Sequence, residues 1–275
     1  MRLRVSHETT YTYEPRARGL IQIARLTPRS HDGQHVIRWR TELSADCQLA
    51  AYRDAFGNIA HCFTIDGPIE KLHVAVYGEV ETHERNGLVS GGLEHFPPEL
   101  FLRDTPLTQA SAEIARFARA IGGVHGGSEL AAMHELQAAL HREFTFQGGT
   151  TDATTSAEDA FRQKRGVCQD YTHVFLAAAR HIGVPARYVS GHLFRGDTAG
   201  AQQAGHAWAE AYIPNLGWVG FDPTNGVCVT EAYVRVAIGL DYLGAAPIRG
   251  TITGYARETL AVSVRVEQAA TQCQS

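Results

Sequence analysis

The hydrophobic pattern of this chain changes its period twice, and that change constrains the fold more than any other feature. Within residues 1–83, apolar side chains rich in Val, Ile, Thr and Tyr alternate with polar ones, a period of two that predicts strands. From Ser111 to Gly183 apolar residues recur at helical spacing, and from Ala186 onward the strand-like alternation returns. Strands, then helices, then strands again favour an α+β fold.

Turn and linker signals divide the chain into three parts. Short strands separated by turns such as Asp66-Gly67-Pro68 suggest an antiparallel, sandwich-like β domain over residues 1–83. Residues 84–106 contain a glycine pair and a proline pair and fit a linker that wraps over the surface. Residues 107–275 then form an α+β domain, whose final strands could pack back on the N-terminal domain.

The helical region has clear start and stop signals. Ser111 and Ser128 precede two amphipathic runs and are typical N-cap residues. Gly122 and Gly123 are expected to end the first of these helices, and a short helix follows within AEDAFRQKR. The most apolar helix is predicted from about Cys168 to His181, because a glycine and a proline follow it.

Composition and charge exclude several classes of function. With 44% hydrophobic and 20% charged residues, the chain can bury a globular core. The 25 basic and 29 acidic residues give a net charge of −4, so neither a nucleic-acid nor a membrane partner is expected. The chain has no apolar run of about 18 residues and no signal-like start, which predicts a soluble, cytoplasmic protein. Fourteen histidines occur without an HExxH motif, so neither a metal nor a cofactor is expected.

One of the five cysteines has surroundings that suggest chemistry. Cys168 lies where a loop becomes the start of the most apolar helix. Free N–H groups and the positive end of the helix dipole stabilise negative charge there, which favours a reactive thiolate. The alternative is a small buried hydrophobe, the commonest role of a free cysteine.

A cysteine nucleophile needs a base and a group that orients the base. His206 opens the strand-like run HAWAEAYI, and Asp222 ends the strand-like run GWVGFD. A turn over residues 214–217 would make these strands hairpin neighbours and bring the two side chains together. The three residues therefore suggest a Cys–His–Asp arrangement, although a lone strand histidine is usually a core residue.

Two long motifs carry a resemblance to a known family. The segments GVCQDYTHVFLAAARHIGVPARYVSGHLF and GHAWAEAYIPNLGWVGFDPTNG closely resemble the transglutaminase-like core, a branch of the papain-like cysteine hydrolases. The β-rich start resembles the N-terminal domain of bacterial members. The resemblance implies a helix bearing the nucleophile Cys168, packed on an antiparallel sheet. That sheet bears His206 as base and then acid, and Asp222 as the orienting carboxylate.

Three further residues are weaker candidates for the site. The family supplies the oxyanion with the backbone N–H of the cysteine and a side-chain donor, for which Gln163 or its neighbour Arg162 is available. Asp170 could tune the site, but capping of the helix is favoured. Trp208 could line the substrate groove or belong to the core.

These residues together predict a thiol-dependent amide-bond hydrolase, a cysteine peptidase or amidase. It would act on a peptide or protein amide through a thioester intermediate and without a cofactor. One alternative is a transglutaminase that passes the acyl group to an amine. Another is a non-catalytic interaction module of the same fold. The sequence leaves the oligomeric state and any calcium dependence open.

The thiolate at a helix start predicts selective alkylation. At neutral pH, iodoacetamide should modify Cys168 well before the other four cysteines. Peptide mapping after a short pulse measures the order of labelling. Equal labelling of Cys47 or Cys273 would count against a reactive thiolate at Cys168.

Overall fold

The strands of the first sheet come from both ends of the described chain. The computed structural model describes residues 1–92, 95–124, 127–196 and 205–269. The six strands of the first sheet are β1 (Arg2–Thr27), β2 (Gln34–Leu43), β3 (Ala50–Arg53), β4 (Ile59–Thr82), β13 (Ile248–Thr253) and β14 (Arg257–Gln268). β4 pairs antiparallel with β1, β2 and β3, and both β13 and β14 pair antiparallel with β1. The closing strands therefore return to the N-terminal sheet.

β1 and β4 are long strands that bend rather than two pairs of short ones. The sequence predicts a turn at Asp66-Gly67-Pro68, but β4 continues through it, and its register with β1 shifts between Thr12 and Gly19. Gly67 allows the bend of β4 to pack closely against that of β1, since a Cβ at this position would lie 2.5 Å from the carbonyl oxygen of Ala17. Residues from both halves of the two strands then share one hydrophobic core, which gives the predicted sandwich-like arrangement.

The second sheet and the helices form the rest of the described chain. The strands of this sheet are β5 (Leu88–Val89), β8 (Ala186–Leu193), β9 (His206–Ile213), β10 (Gly217–Asp222), β11 (Val227–Cys228) and β12 (Tyr233–Gly239). The short strands β6 (Thr145–Phe146) and β7 (Arg165–Gly166) pair in parallel. The helices are α1 (Ala112–Val124), α2 (Glu129–Glu143), α3 (Ala157–Gln163), α4 (Cys168–His181) and α5 (Tyr242–Ala245). The α+β prediction is confirmed.

α4 is the central helix, and its predicted bounds are confirmed. Every residue from Asp170 to Arg180 is buried, because α1, α2 and α3 pack on one side of it and β8 and β9 on the other. The face of β9 that meets the helical core carries small alanines, including Ala207 and Ala209. Small side chains at alternate positions of a strand allow the helix to approach the sheet closely.

The predicted caps of the first two helices are present. The Ser128 side chain accepts from the backbone N–H of Ala131 at the start of α2, and Ser111 accepts from Ile114 at the start of α1 (both 3.3 Å). The predicted stop at Gly122 and Gly123 was wrong, since α1 continues to Val124. Ile121 in this last turn packs in the core, whereas Val124 at its end is exposed.

The segment predicted as a surface linker is partly built into the fold. Within residues 84–106, β5 pairs with β10, and a 3₁₀ helix covers Pro98–Leu102. Phe101 on that helix is buried and packs edge-to-face on Trp218 with ring centroids 5.2 Å apart. This segment therefore covers one face of the second sheet.

A buried charge network ties three strands of the second sheet together. Glu210 on β9 accepts from Arg187 on β8 and from Arg235 on β12, each with an N–O distance of 2.7 Å. Burial opposes ionisation of Glu210, but the two guanidinium groups outweigh it and lower its pKa to about 2. Because Glu210 lies on the same strand as His206, the network fixes the strand that carries the candidate base.

None of the helices in the described ranges is long and apolar enough to span a membrane.

Candidate active site

Cys168 is the first residue of α4. Val167 precedes the helix in an extended conformation, so the chain turns into the helix at the cysteine. The first N–H groups of a helix have no partner within it and point toward its N-terminal end. The thiol, which is half-buried, therefore lies where the helix stabilises negative charge.

Asp170 fixes the start of this helix. Its Oδ2 accepts from the backbone N–H of Val167 and from the Thr151 hydroxyl, both at 2.7 Å. The carboxylate fills the space beside Gly166, where a Cβ would lie 2.4 Å from Oδ2. Burial raises the pKa of Asp170 against these hydrogen bonds. The geometry places Asp170 in the capping position that was favoured from the sequence.

His206 and Asp222 lie side by side on neighbouring strands. Nε2 of His206 donates to Oδ2 of Asp222 across 2.6 Å, which leaves Nδ1 as the ring nitrogen available to another group. Burial disfavours the imidazolium, but Asp222 and the neighbouring Cys168 outweigh it and raise the pKa of His206 to about 9. At neutral pH the imidazole is therefore held in its charged form.

Asp222 is fully buried and richly hydrogen-bonded. Besides His206, its carboxylate accepts from the Tyr233 hydroxyl at 2.8 Å and from Nδ2 of Asn225 at 2.6 Å. The backbone N–H of Thr224 donates to the other oxygen at 2.9 Å. Burial raises the pKa of Asp222, but the contact with His206 and these donors outweigh it, so the pKa lies below its usual value. The group that orients His206 remains an anion.

Tyr233 and Asn225 were not found from the sequence. Tyr233 lies on β12, a strand that was not predicted, and its ring also packs against His206 with centroids 6.0 Å apart. Asn225 lies three residues after Asp222 in the DPTNG segment. Asp and Asn at that spacing commonly bond the turn that contains them, which is the one sequence signal that could have identified Asn225.

Trp208 packs against the ring of His206 and is not part of the described cavity wall. Its ring stacks on that of His206 with centroids 6.2 Å apart, and it is 2% exposed. Gly191 makes room for it, because a Cβ there would lie 2.7 Å from the indole ring. The described lining of the cavity at Cys168 does not include Trp208.

Gln163 is exposed to solvent rather than placed in the described wall of the cavity at Cys168. It is the exposed last residue of α3, and the described lining of the cavity at Cys168 does not include it. Gln169, next to the cysteine, lines the cavity instead, and its Nε2 donates to the carbonyl oxygen of Asp152 at 3.1 Å. Gln163, which the sequence suggests as the side-chain donor to the oxyanion, is therefore not part of the described cavity wall.

Cys168 and His206 open into a cavity of about 410 Å³ between the two sheets. One wall comes from the second sheet and α5, including Tyr188 and Tyr242. The opposite wall comes from β1 and β14 of the first sheet, including Thr9 and Val262. The volume lies within the range of roughly 300–1,000 Å³ that is usual for small-ligand sites.

The remaining thiols and histidines do not gather at a second centre in the described chain. Cys47, Cys62 and Cys228 are unpaired there, and Cys273 lies outside the described residues. Across residues 1–92, 95–124, 127–196 and 205–269, no three His, Cys, Asp or Glu side chains are placed to hold a metal ion.

Relatives and a solved structure match almost the whole chain. An uncharacterised protein of Mycobacterium leprae is 33% identical over 98% of this chain and 99% of its own length. An uncharacterised protein of Mycobacterium tuberculosis is 28% identical over 96% of this chain and 92% of its own. A candidate cysteine protease from Cytophaga hutchinsonii shares the fold, with a TM-score of 0.79, 21% identity and coverage of 99% of this chain and 92% of that one.

Two family models match the two parts of the chain in the expected order. The model described as the bacterial transglutaminase-like N-terminal region matches residues 3–81. The model of the transglutaminase-like superfamily matches residues 116–223, a range that contains Cys168, His206 and Asp222. With the full-length similarity to the M. leprae protein, these matches show that the chain belongs to the transglutaminase-like superfamily, with the N-terminal region of its bacterial members.

Proposed function

We propose that the protein is a thiol-dependent hydrolase of peptide or protein amides, with Cys168, His206 and Asp222 as its catalytic triad. The observation that carries the proposal is the chain of contacts from the thiol at the start of α4, through His206, to the buried Asp222. This chain opens into a cavity of ligand size. A nucleophile, a base and an orienting carboxylate in contact are the requirements of nucleophilic acyl transfer.

In the first step the Cys168 thiolate, paired with the imidazolium of His206, attacks the amide carbonyl carbon. The C=O π electrons move to the oxygen, which becomes an oxyanion in a tetrahedral intermediate. N–H groups at the start of α4, beginning with that of Cys168, point to where this charge develops. Collapse of the intermediate breaks the C–N bond, while His206 protonates the departing amine and leaves a thioester on Cys168.

Water resolves the thioester in the second step. His206, now neutral, accepts a proton from water, and the resulting hydroxide equivalent attacks the thioester carbonyl. The C–S bond breaks, the carboxylic acid leaves, and the thiolate–imidazolium pair is restored. Asp222 keeps Nε2 protonated throughout, so that Nδ1 always faces the reacting atoms.

Triad variants test the proposal. Cys168→Ala and His206→Ala should each lower kcat for a cleaved amide by roughly 10⁴-fold or more, since the two residues act as a unit. Asp222→Asn should retain weaker but detectable turnover, because it disturbs the orientation of His206 without removing the nucleophile. The assay is cleavage of a panel of fluorogenic peptide amides, with melting temperatures of all variants measured in parallel.

Cys228→Ala is the matched control for loss of a thiol. Cys228 is half-buried like Cys168, but the described lining of the cavity does not include it. The activity of the Cys228→Ala protein should equal that of the parent protein. Cleavage that survives Cys168→Ala would overturn the proposal.

The raised pKa of His206 predicts the alkaline limit of activity. The imidazolium form persists until the pH approaches about 9, so kcat/KM should hold through neutral pH and fall as the pH rises through 9. In Asp222→Asn the carboxylate that stabilises the imidazolium is lost, and the alkaline limb should move to lower pH. A pH profile of kcat/KM for both proteins measures the shift, and identical alkaline limbs would contradict the role given to Asp222.

Transfer to an amine is the second candidate, because the same thioester can react with an amine instead of water. The fold does not decide between the acceptors. We expect hydrolysis to dominate when a glutamine-containing peptide is offered with excess labelled cadaverine. Mass spectrometry of the products compares the two rates. Faster entry of the labelled amine than formation of acid would replace hydrolysis with the transferase reaction.

A non-catalytic interaction module would give neither product. The intact contact chain argues against it, since a binding module has no need of a buried carboxylate that holds an imidazolium.

A further inference from the structure

The wall of the cavity opposite the candidate active site belongs to the N-terminal sheet. His7, Thr9 and Tyr11 alternate along β1, so their side chains share one face, and all three line the cavity. Val262 and Leu260 on β14 are the register partners of Thr9 and Tyr11 and line it as well. A substrate held at Cys168 therefore meets the N-terminal sheet directly.

The described wall carries no carboxylate, and its one cationic side chain is already paired. Nε of Arg25 lies 2.8 Å from Oδ2 of Asp54, and both side chains are largely buried. Two histidines that line the cavity, His7 on β1 and His192 on β8 of the facing sheet, are uncharged at neutral pH. Burial lowers the pKa of His7 to about 4, and burial together with the nearness of His7 lowers the pKa of His192 to about 3. A charged substrate group would find no counter-ion in this part of the cavity.

The rest of the wall is apolar. Leu26 on β1, Ile248 on β13 and Pro247 just before β13 line it, and Val236 on β12 lines the cavity from the facing sheet. Placing an apolar side chain against such a surface is favourable in proportion to the area removed from water, whereas burying an unpaired charge is costly. The wall thus discriminates by charge and by apolar area rather than by a specific ion pair.

We propose that this wall is the acyl-side specificity pocket, and that it selects amides whose acyl-side residue has an uncharged apolar or aromatic side chain. The inference rests on the proposed hydrolase function, since it names the substrate class of the same site. It also assigns a role to the N-terminal sheet, which supplies part of the pocket through β1 and β14.

A substrate panel tests the selectivity. Acetyl-aminoacyl-aminomethylcoumarin amides with Phe, Leu, Glu or Lys on the acyl side differ only in that side chain. The kcat/KM for Phe and Leu should exceed that for Glu and Lys by more than about tenfold, because an unpaired charge must be desolvated. Equal or faster cleavage of the Glu or Lys amide would overturn the proposal.

A pair of variants tests the role of the N-terminal sheet. Val262→Glu places a carboxylate on the inner face of β14 and should lower kcat/KM for the Phe amide at least about tenfold while raising the Lys-to-Phe ratio. Ser263→Glu, one residue further on the exposed outer face, is the control and should leave both values unchanged. If the Val262→Glu protein has a near-native melting temperature and an unaltered Lys-to-Phe ratio of kcat/KM, β14 does not contribute to the pocket.

Binding without turnover separates the inference from the proposed function. The Cys168→Ala protein is titrated with acetyl-phenylalanine amide and with the α-amides of acetyl-glutamate and acetyl-lysine by calorimetry. The Phe amide should bind at least about tenfold more tightly than either charged one. If no amide of the panel is cleaved but this binding order holds, the hydrolase proposal fails and the pocket stands. Equal binding of the three amides refutes the pocket whatever the enzyme assay gives.

Discussion

The hydrogen bond between His206 and Asp222 is the contact on which the rest of the site depends. It joins β9 to β10, keeps the imidazole charged, and turns its other nitrogen toward the thiol. A buried carboxylate is unstable unless other groups satisfy it. Tyr233 from β12 and Asn225 from the following turn do so, so three strands and a turn converge on one anion.

The nucleophile is held by a different part of the molecule. Asp170 closes the first turn of α4 and connects it to the loop at Thr151, and Gly166 leaves the space that the carboxylate needs. The thiol is thus positioned by a helix and its cap, and the imidazole by the strands. Sites on rigid elements with supporting hydrogen bonds keep reacting groups in place more precisely than sites on loops. The buried ion pairs of Glu210 with two arginines also hold β9, the strand that carries His206, to β8 and β12.

Much of this arrangement could be predicted from the sequence, because its signals are local. The bounds of α4 follow from an apolar run that ends at Gly183, and the pairing of β9 with β10 follows from the turn between them. Contacts distant in sequence had no such signal. Tyr233 donates to Asp222 from a strand whose sequence lacks a clear alternation of apolar and polar residues. Trp208 packs against His206 because Gly191 on another strand leaves space for the indole ring. The nearness of Gln163 to Cys168 in sequence suggests a shared site, whereas Gln163 ends α3 with its side chain exposed to solvent.

The return of β13 and β14 to β1 has a mechanical consequence. The helices and the second sheet lie in sequence between two sets of strands that share one sheet, so they are anchored at both ends rather than by one linker. A domain joined at a single point can swing about one hinge, but a domain inserted in this way must bend at two crossings at once. Any movement of the second sheet relative to the first would therefore bend the chain at both crossings, and the second crossing ends in strands that are hydrogen-bonded to β1.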